Sequence, residues 1–430
     1  MKVLVLSAEV WRDDKNGGNV LSNIFEGLDA EFAQVYCNPG EPDNFLCKRY
    51  YQMTDGMVVR NILKREKMGK VLTYEDFPAQ RKEKVSAEQE NKKVYNFFRK
   101  FSFEIFHVAK EMAWACSKWK NENLEKFILD FHPDIVFAPC YASHFMLHLT
   151  RYVANLVKKP IISYVSDDNY TLDQFRLSPV YWLNRFVLRK HMRKTYPYYS
   201  LVYTMTDEQK EIYEKALKCK MSILKKSGDF QQINIKREIK FPIRMIYAGG
   251  VYCGRDNTLV KLVKAIRKIN TDEKKIVLDI FTGNELSRSK QKILNDGENS
   301  IVHSLISKKE LIDRYKQADI ALHVESFKLK YKKLTRLSFS TKIMDCLESG
   351  AATLAIADRE QAGLAYLKRN DIAFTITDLR QVEGWLKQLV KNPQIICEYS
   401  RKAYDFCVNE HSKIKVQKQI QKDFETYTQA

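Results

Sequence analysis

The sequence predicts an α/β protein built from two doubly wound domains in tandem. Three observations carry that expectation. Short apolar runs alternate with amphipathic stretches over most of the 430 residues, as parallel sheets with crossover helices require. The pattern lapses in a Lys-rich, irregular stretch near 218–242, ending at Pro242, and restarts cleanly beyond it. At roughly 100–200 residues per domain, the length itself asks for two domains or three.

In the first half, Val3–Ser7 reads as a buried strand. A polar loop ending in Asn16-Gly17-Gly18 follows, and then a helix from about Val20 to Leu28. Ile135–Ala138, Ile161–Val165 and Leu201–Thr204 are further strands, each closed by turn or cap residues. Residues 55–95, rich in Lys, Arg, Glu and Gln, read as an exposed helical excursion or a mobile loop. In the second half, strands are expected at Met245–Ala248, Ile276–Phe281, Ile301–His303, Ile320–Val324, Thr353–Ile356 and Ile372–Ile376. Helices are expected at about Asp256–Lys268, Lys308–Lys316 and Ser340–Glu348, and from Gln361. Two such sheets share one natural ligand site, the cleft between the carboxyl ends of their strands.

Composition narrows the partners. Lys+Arg 72 against Asp+Glu 53 leaves +19, which excludes indifference to polyanions and admits nucleic acid, an anionic membrane surface or phosphorylated small molecules. A nucleic-acid protein would need base-stacking aromatics among its cations or a recognition module. Neither is found, so no nucleic-acid partner is expected. Hydrophobic residues at 45% and charged residues at 29% exclude a largely disordered or fibrous chain. The apolar run before Glu9 is too short for a signal peptide, and no stretch approaches the roughly 18 apolar residues of a membrane span. Nine scattered cysteines with no C-x-x-C pair read as reduced thiols in a cytoplasmic protein. No metal site is expected: His144 and His148 lack a third ligand, and their other reading is an acceptor contact near the cleft.

Several strand ends carry chemistry. In Phe339-Ser-Thr-Lys-Ile-Met-Asp-Cys-Leu-Glu-Ser-Gly350, Ser340 caps a helix that Gly350 closes with a left-handed residue. The amides of Ser340, Thr341 and Lys342 offer an anion site beside the Lys342 ammonium. Asp345, one turn on, can accept hydrogen bonds from sugar hydroxyls. Tyr247-Ala-Gly249-Gly250 leads to Arg255, a turn that lets backbone approach a ligand closely, next to a guanidinium that can hold two phosphate oxygens. Thr282-Gly283, His303-Ser304-Leu305-Ile306 and Glu325-Ser326 end three more strands. Asp167 and Asp168 follow the strand at Ile161–Val165. They read either as a polar turn or as carboxylates that orient an acceptor or, in an inverting variant, act as base.

Two basic stretches carry aromatics. One joins Arg185, Arg189, Lys190, Arg193 and Lys194 to Tyr181, Trp182 and Phe186. The other repeats Val94, Phe97, Phe98, Phe101, Ile105 and Val108 at helical spacing. Each reads as ordinary core under a solvated face, or as a surface lying on anionic lipid.

This succession resembles the donor-binding half of GT-B glycosyltransferases, particularly glycosyltransferase family 4. The resemblance covers about 242–376, and the first half more loosely through Gly17-Gly18, His132-Pro133-Asp134-Ile135 and Thr204-Met-Thr-Asp207. It implies two Rossmann-like domains facing across a cleft: an acceptor domain over 1–236, a donor domain over 237–400, and a terminal helix over 401–430 crossing back. It further implies an enzyme that transfers a hexose-type unit with retention, and the cysteine pattern and basic stretches add the expectation of a cytoplasmic, peripheral membrane protein. The donor would be a nucleotide-diphosphate sugar, UDP-linked, and the acceptor a glycan or lipid-linked glycan of surface or envelope biosynthesis, with no cofactor.

On the residues, the resemblance places Gly249 and Gly250 beside the donor pyrophosphate and pairs Arg255 with it. Ser340–Lys342 would hold the distal phosphate, Asp345 the ribose, and His303–Ile306 the base edge. Glu325 and Ser326 fall where the family's first motif carboxylate begins, and Gly17 and Gly18 bring amides of the first domain to the cleft. Arg255 and Lys342 would meet leaving-group charge without a metal. The family's two glutamates seven residues apart are absent here, and Asp345 stands in place of the second. A basic insert (Lys328, Lys330, Lys332, Lys333, Arg336) follows Glu325, and Val260 occupies the place of an expected Lys. An epimerase or phosphorylase of the same fold, a nucleic-acid binder and a donor-binding partner without turnover are the rival readings.

Overall fold

The computed structural model describes residues 1–13, 16–76, 103–228, 230, 233, 235, 236 and 238–429. The first domain runs β1 (Lys2–Ser7), α1 (Asn16–Phe25), β2 (Glu31–Tyr36), β3 (Cys47–Gln52), α2 (Asp55–Lys64), β4 (Lys70–Thr73), α3 (Phe103–Cys116) and α4 (Glu122–Phe131). It continues through β5 (Ile135–Phe137), α5 (His144–Val157), β6 (Ile161–Tyr164), α6 (Pro179–Thr195), β7 (Leu201–Thr204), α7 (Asp207–Leu217) and β8 (Met221–Ile223). The strands form one sheet in the order β4-β3-β2-β1-β5-β6-β7-β8, parallel except for β4. Strand β1 is an unbroken apolar run because helices cover both sheet faces, and Val3, Leu4, Val5 and Leu6 are all fully buried. Side chains of Asn121, Ser143, Ser178 and Thr206 cap α4, α5, α6 and α7 by accepting main-chain amides.

The second domain runs β9 (Ile243–Ala248), α8 (Arg255–Ile269), β10 (Ile276–Phe281), α9 (Arg288–Leu294), β11 (Ser300–His303), α10 (Lys308–Gln317), β12 (Ile320–Val324), α11 (Leu329–Thr335), α12 (Thr341–Leu347), β13 (Ala352–Ile356), α13 (Ala362–Arg369), β14 (Phe374–Ile376), α14 (Val382–Lys391) and α15 (Ile395–Glu410). Its sheet is parallel, in the order β11-β10-β9-β12-β13-β14. Both sheets reverse direction at a switch point, between β1 and β5 in one and between β9 and β12 in the other. The loops leaving these strands therefore splay apart and open a crevice.

All six strands expected in the second half are present. In the first half, β2, β3, β4 and β8 escaped the sequence reading. Gln34 interrupts the apolar run of β2, yet it is buried, donating to Ser7 Oγ at 2.7 Å and accepting from Trp11 N. Strand β3 carries Lys48, Arg49 and Gln52 near the sheet edge. The stretch 55–95 begins as α2 and β4, and 77–102, with Val94, Phe97, Phe98 and Phe101, lies outside the described residues. Gly17 and Gly18 sit in the first turn of α1, not in the loop before it.

The return crossing also differs from the expectation. Residues 401–410 belong to α15, which stays on the second domain: Ser400 Oγ donates to Gly350 O at 2.5 Å, and Ala403 and Cys407 pack with Ile343 and Met344. The chain crosses at His411-Ser412 and ends in α16 (Lys413–Gln429). There Val416, Ile420 and Phe424 complete a core of the first domain with Phe25 and Phe137. Phe424 meets Phe137 at 6.3 Å and Phe25 at 6.0 Å between ring centroids.

Candidate active site

The switch point of the second sheet gathers most of the residues singled out above. Strand β9 ends at Ala248, and Gly249 follows with φ 145. That φ strains any residue with a side chain, and a Cβ there would lie 2.2 Å from Lys342 Cε and push the lysine aside. The Tyr247 hydroxyl donates to Gly250 O at 2.7 Å, and Val251 N to Asn284 Oδ1 at 3.0 Å, so the turn is tied to the neighbouring strand end. Gly254, at φ 79, starts α8 and points Arg255 back across the switch point. Arg255 donates from Nε and Nη2 to the two oxygens of Glu325, at 3.1 and 2.8 Å, with both side chains buried. Burial opposes the guanidinium charge, but the Glu325 carboxylate more than offsets it and raises the pKa. The main chain behind Glu325 is held as well, since Thr258 Oγ1 donates to Glu325 O at 2.7 Å.

Lys342 approaches from the first turn of α12. Its Nζ lies 3.4 Å from Tyr247 Oη and 5.4 Å from that ring's centroid. Burial, then the neighbouring Arg255, lowers its pKa to about 8, against the pull of Glu325. The site is therefore a fixed, partly desolvated cluster of two cations and one carboxylate beside exposed backbone, suited to an anion brought to it.

Thr282 and Gly283 lie at the next strand end, where Thr282 N donates to His303 O at 3.1 Å. Leu305, 73% exposed, stands over Gly283, and Ser304 beside it is exposed. The His303 ring stacks on Phe281 at 4.5 Å and pairs with Asp279 at 2.6 Å. Ser326 is buried beside Gly254, and its Oγ accepts from Lys328 N at 3.2 Å. Ser340 occupies the N-cap of α12 without a side-chain capping bond, and Gly350 is left-handed as expected.

A cleft of about 460 Å³ opens between the domains. Val20, Asn23, Tyr164, Met205 and Ile420 line it from the first domain and Tyr252, Thr341 and Lys342 from the second. Lys225 and Lys226 reach it from the connecting segment. Nothing in the sequence marks these two residues, because a Lys doublet in an irregular stretch looks like a linker. Lys225 pairs with Glu410, and Lys226 lies 3.7 Å from Asp345, which is half-exposed at the far end of α12.

Other residues lie elsewhere. Asp168 is buried within the first domain, where it accepts from the amides of Tyr170 and Thr171, the hydroxyls of Thr171 and Tyr213, and Arg185. Its oxygens are used up by that turn, so the turn reading describes it and no lone pair is free for acceptor or base. Asp167 does reach the interface, accepting from Ser338 Oγ at 2.9 Å. Arg185 is likewise internal, and Arg189 and Arg193 cover Tyr170, so the basic stretch of α6 offers lipid only Lys190 and Lys194 as uncommitted cations. In the insert, Lys332 pairs with Asp358, and Lys333 and Arg336 pair with Asp173 of the first domain at 2.8 and 2.9 Å. Lys333 and Arg336 thus bridge the domains, while Lys332 is held within the second. His144 and His148 lie away from the cleft, in a separate pocket. No group of three or more His, Cys, Asp or Glu suited to a metal occurs among the described residues, and none of their helices is long and apolar enough to cross a membrane.

This architecture is the GT-B fold of glycosyltransferases. The chain aligns over 99% of its length with 99% of the Escherichia coli trehalose-6-phosphate protein bound with UDP-2-fluoro glucose, at TM-score 0.61 and 10% identity. Sucrose-phosphate synthase from Thermosynechococcus elongatus aligns over 99% of both chains at TM-score 0.59 and 10% identity. Anabaena HepE in complex with UDP and glucose aligns over 99% of this chain and 100% of its own, at TM-score 0.57 and 10% identity. No family model matches the sequence, and no curated protein matches it by sequence.

Proposed function

We propose that this protein is a glycosyltransferase that binds a nucleotide-diphosphate sugar, UDP-linked, at the carboxyl edge of the second sheet. The sugar passes to a glycan or lipid-linked glycan acceptor presented by the first domain. The observation that carries the reading is the cation cluster at the β9–β12 switch point: Arg255 held by Glu325, and Lys342 packed over the Gly249 backbone. The solved structures of the same fold bound to UDP or a UDP sugar support the choice of nucleotide.

In this reading the diphosphate lies along Gly249–Gly250 and meets Lys342 and the outer edge of Arg255. Negative charge grows on the diphosphate as its bond to the sugar breaks, and these two cations, already fixed and partly dry, stabilise it. Glu325 acts through Arg255 as a positioning residue. With retention, the leaving phosphate itself takes the acceptor's proton, which agrees with the commitment of Asp168 to its own turn. Asp345 would hold the ribose once Lys226 yields it, and the His303–Phe281 stack would lie beside the base. Polysaccharide or envelope synthesis on a membrane surface completes the proposal.

Thermal melting in the presence of UDP, GDP, ADP, CMP or dTDP tests it. A ligand at 100 times its dissociation constant adds about 2.7 kcal/mol of stability, so UDP should raise the melting temperature selectively. Arg255→Ala leaves Glu325 as an unpaired buried carboxylate and will melt lower for that reason alone. The informative quantity is therefore the ligand-induced shift, which should vanish in that variant. A shift with none of the five nucleotides would reject the proposal.

A further inference from the structure

The interdomain cleft is apolar where the first domain forms its wall. Its lining there includes Ile24, Leu224, Val416 and Ile420, each at most 5% exposed, beside half-buried Val20 and Met205. Asn23 and Tyr164 are the polar side chains of that wall among the described residues. Neither is free: the Tyr164 hydroxyl bonds the Ser166 side chain, and Asn23 has a partner as well. A sugar ring laid against such a wall would give up water at several hydroxyls and find no partners for them. An alkyl chain meets no such cost, and each methylene it buries strengthens binding by up to about fourfold.

The chain turns basic directly after Leu224. Lys225 and Lys226 both line the cleft, and no carboxylate does so among the described residues. Lys225 and Lys415 share the Glu410 carboxylate, one on each oxygen, so that group of charges keeps a positive surplus. Lys226 faces half-exposed Asp345 at 3.7 Å. In the function proposed above the donor ribose takes that carboxylate and leaves the ammonium free. Cations at the edge of a low-dielectric wall concentrate positive potential in a cleft. Lys342, on the second domain, serves the donor diphosphate, so Lys225 and Lys226 remain for a second anion, one carried by the acceptor.

We propose that the acceptor is a phosphate-bearing amphiphile. Its phosphate lies against Lys225 and Lys226, and its apolar chain passes Val20 onto the wall of Ile24, Leu224, Val416 and Ile420. The proposal rests on the glycosyltransferase reading of the cleft. A phosphorylated sugar shares the head but not the chain, and a neutral alkyl glycoside shares the chain but not the head, so each serves as a probe.

Calorimetric titration of the UDP-saturated full chain with octyl phosphate, ethyl phosphate, glucose 6-phosphate and octyl glucoside, all below micelle-forming concentrations, tests it. Octyl phosphate is expected to bind saturably, one per chain, and about tenfold or more tighter than each of the other three. Lys225→Gln and Lys226→Gln should each weaken it by about fivefold or more, and in the first of these Glu410 keeps Lys415 as its partner. Val20→Gln should weaken octyl phosphate and leave ethyl phosphate unchanged. The UDP-induced melting shift should survive in all three variants, which shows that they fold. Octyl phosphate no tighter than ethyl phosphate or glucose 6-phosphate would overturn the apolar subsite. Equal binding of octyl glucoside, or binding that both lysine variants leave unchanged, would overturn the phosphate subsite. A missing UDP shift in the parent rejects the glycosyltransferase reading itself, whereas a UDP shift without octyl phosphate binding rejects this acceptor alone.

Discussion

At the scale of single residues, the site is governed by one buried ion pair and one half-desolvated lysine. Lys342 in the free protein gives up its proton near pH 8, and a diphosphate would hold that proton on. Affinity for UDP should therefore be full below pH 8 and fall as pH rises through it, by up to tenfold per unit. Lys342→Met should bind UDP more weakly and with little dependence on pH from 7 to 9.5. Calorimetry across that range checks both, and a wild-type affinity that stays flat would remove Lys342 from the phosphate site. Arg255, Glu325 and Lys342 were legible in the sequence because charges at strand ends and helix starts stand out against apolar runs. That Arg255 and Glu325 would bond each other was not, since 70 residues separate them and only the sheet order brings them together. Asp168 shows the reverse failure: a carboxylate after a strand looks available until Tyr213 and Arg185 arrive from distant helices.

Elements show which parts of the sequence speak for themselves. The second sheet could be read strand by strand because its inner strands β12 and β13 are buried on both faces, and its helices separate the strands with clear polar punctuation. Strands β3 and β4, next to and at the sheet edge, could not, because Lys48, Arg49 and Lys70 dilute their apolar signal. Helix α11 is the instructive case. Its basic run stands out in sequence, but Lys333 and, just past the helix, Arg336 close on Asp173, and Gln174 Nε2 donates to Lys333 O at 3.3 Å. The loop before α6 is thus fastened to the far domain. Partly exposed ion pairs contribute little stability, roughly 0–1 kcal/mol, so Asp173→Ala should melt within about 2–4 °C of the parent. Its effect should appear in domain spacing instead, as a larger radius of gyration in X-ray scattering. Identical scattering profiles would show that the fastening does not hold the domains together.

Across the whole molecule, the first domain depends on the end of the chain. Phe424 is fully buried against Phe25 and Phe137, and the Tyr203 hydroxyl donates to Asp423 at 2.7 Å. Phe424→Ala should cost about 3–5 kcal/mol, as aromatic truncations in cores do. Denaturant unfolding would show it, with the loss concentrated in the first domain. A loss below 1 kcal/mol would mean that α16 is only loosely laid on. The sequence announced the two domains through the lapse near 218–242, but placed the return crossing ten residues early. The apolar spacing of α15 and α16 is alike, and only packing tells which domain each serves.

Near that return, His411 Nδ1 lies 2.8 Å from Lys226 O, and Gly228 N donates to His411 O at 3.0 Å, so the outgoing and returning chains are bound side by side. The second domain is thus nested inside the first as an insertion. During synthesis the entire inserted unit leaves the ribosome before α16 exists. The domain that begins the chain therefore waits for the one that follows it, with its aromatic core open until the final helix arrives, reversing the usual N-terminal-first order of folding.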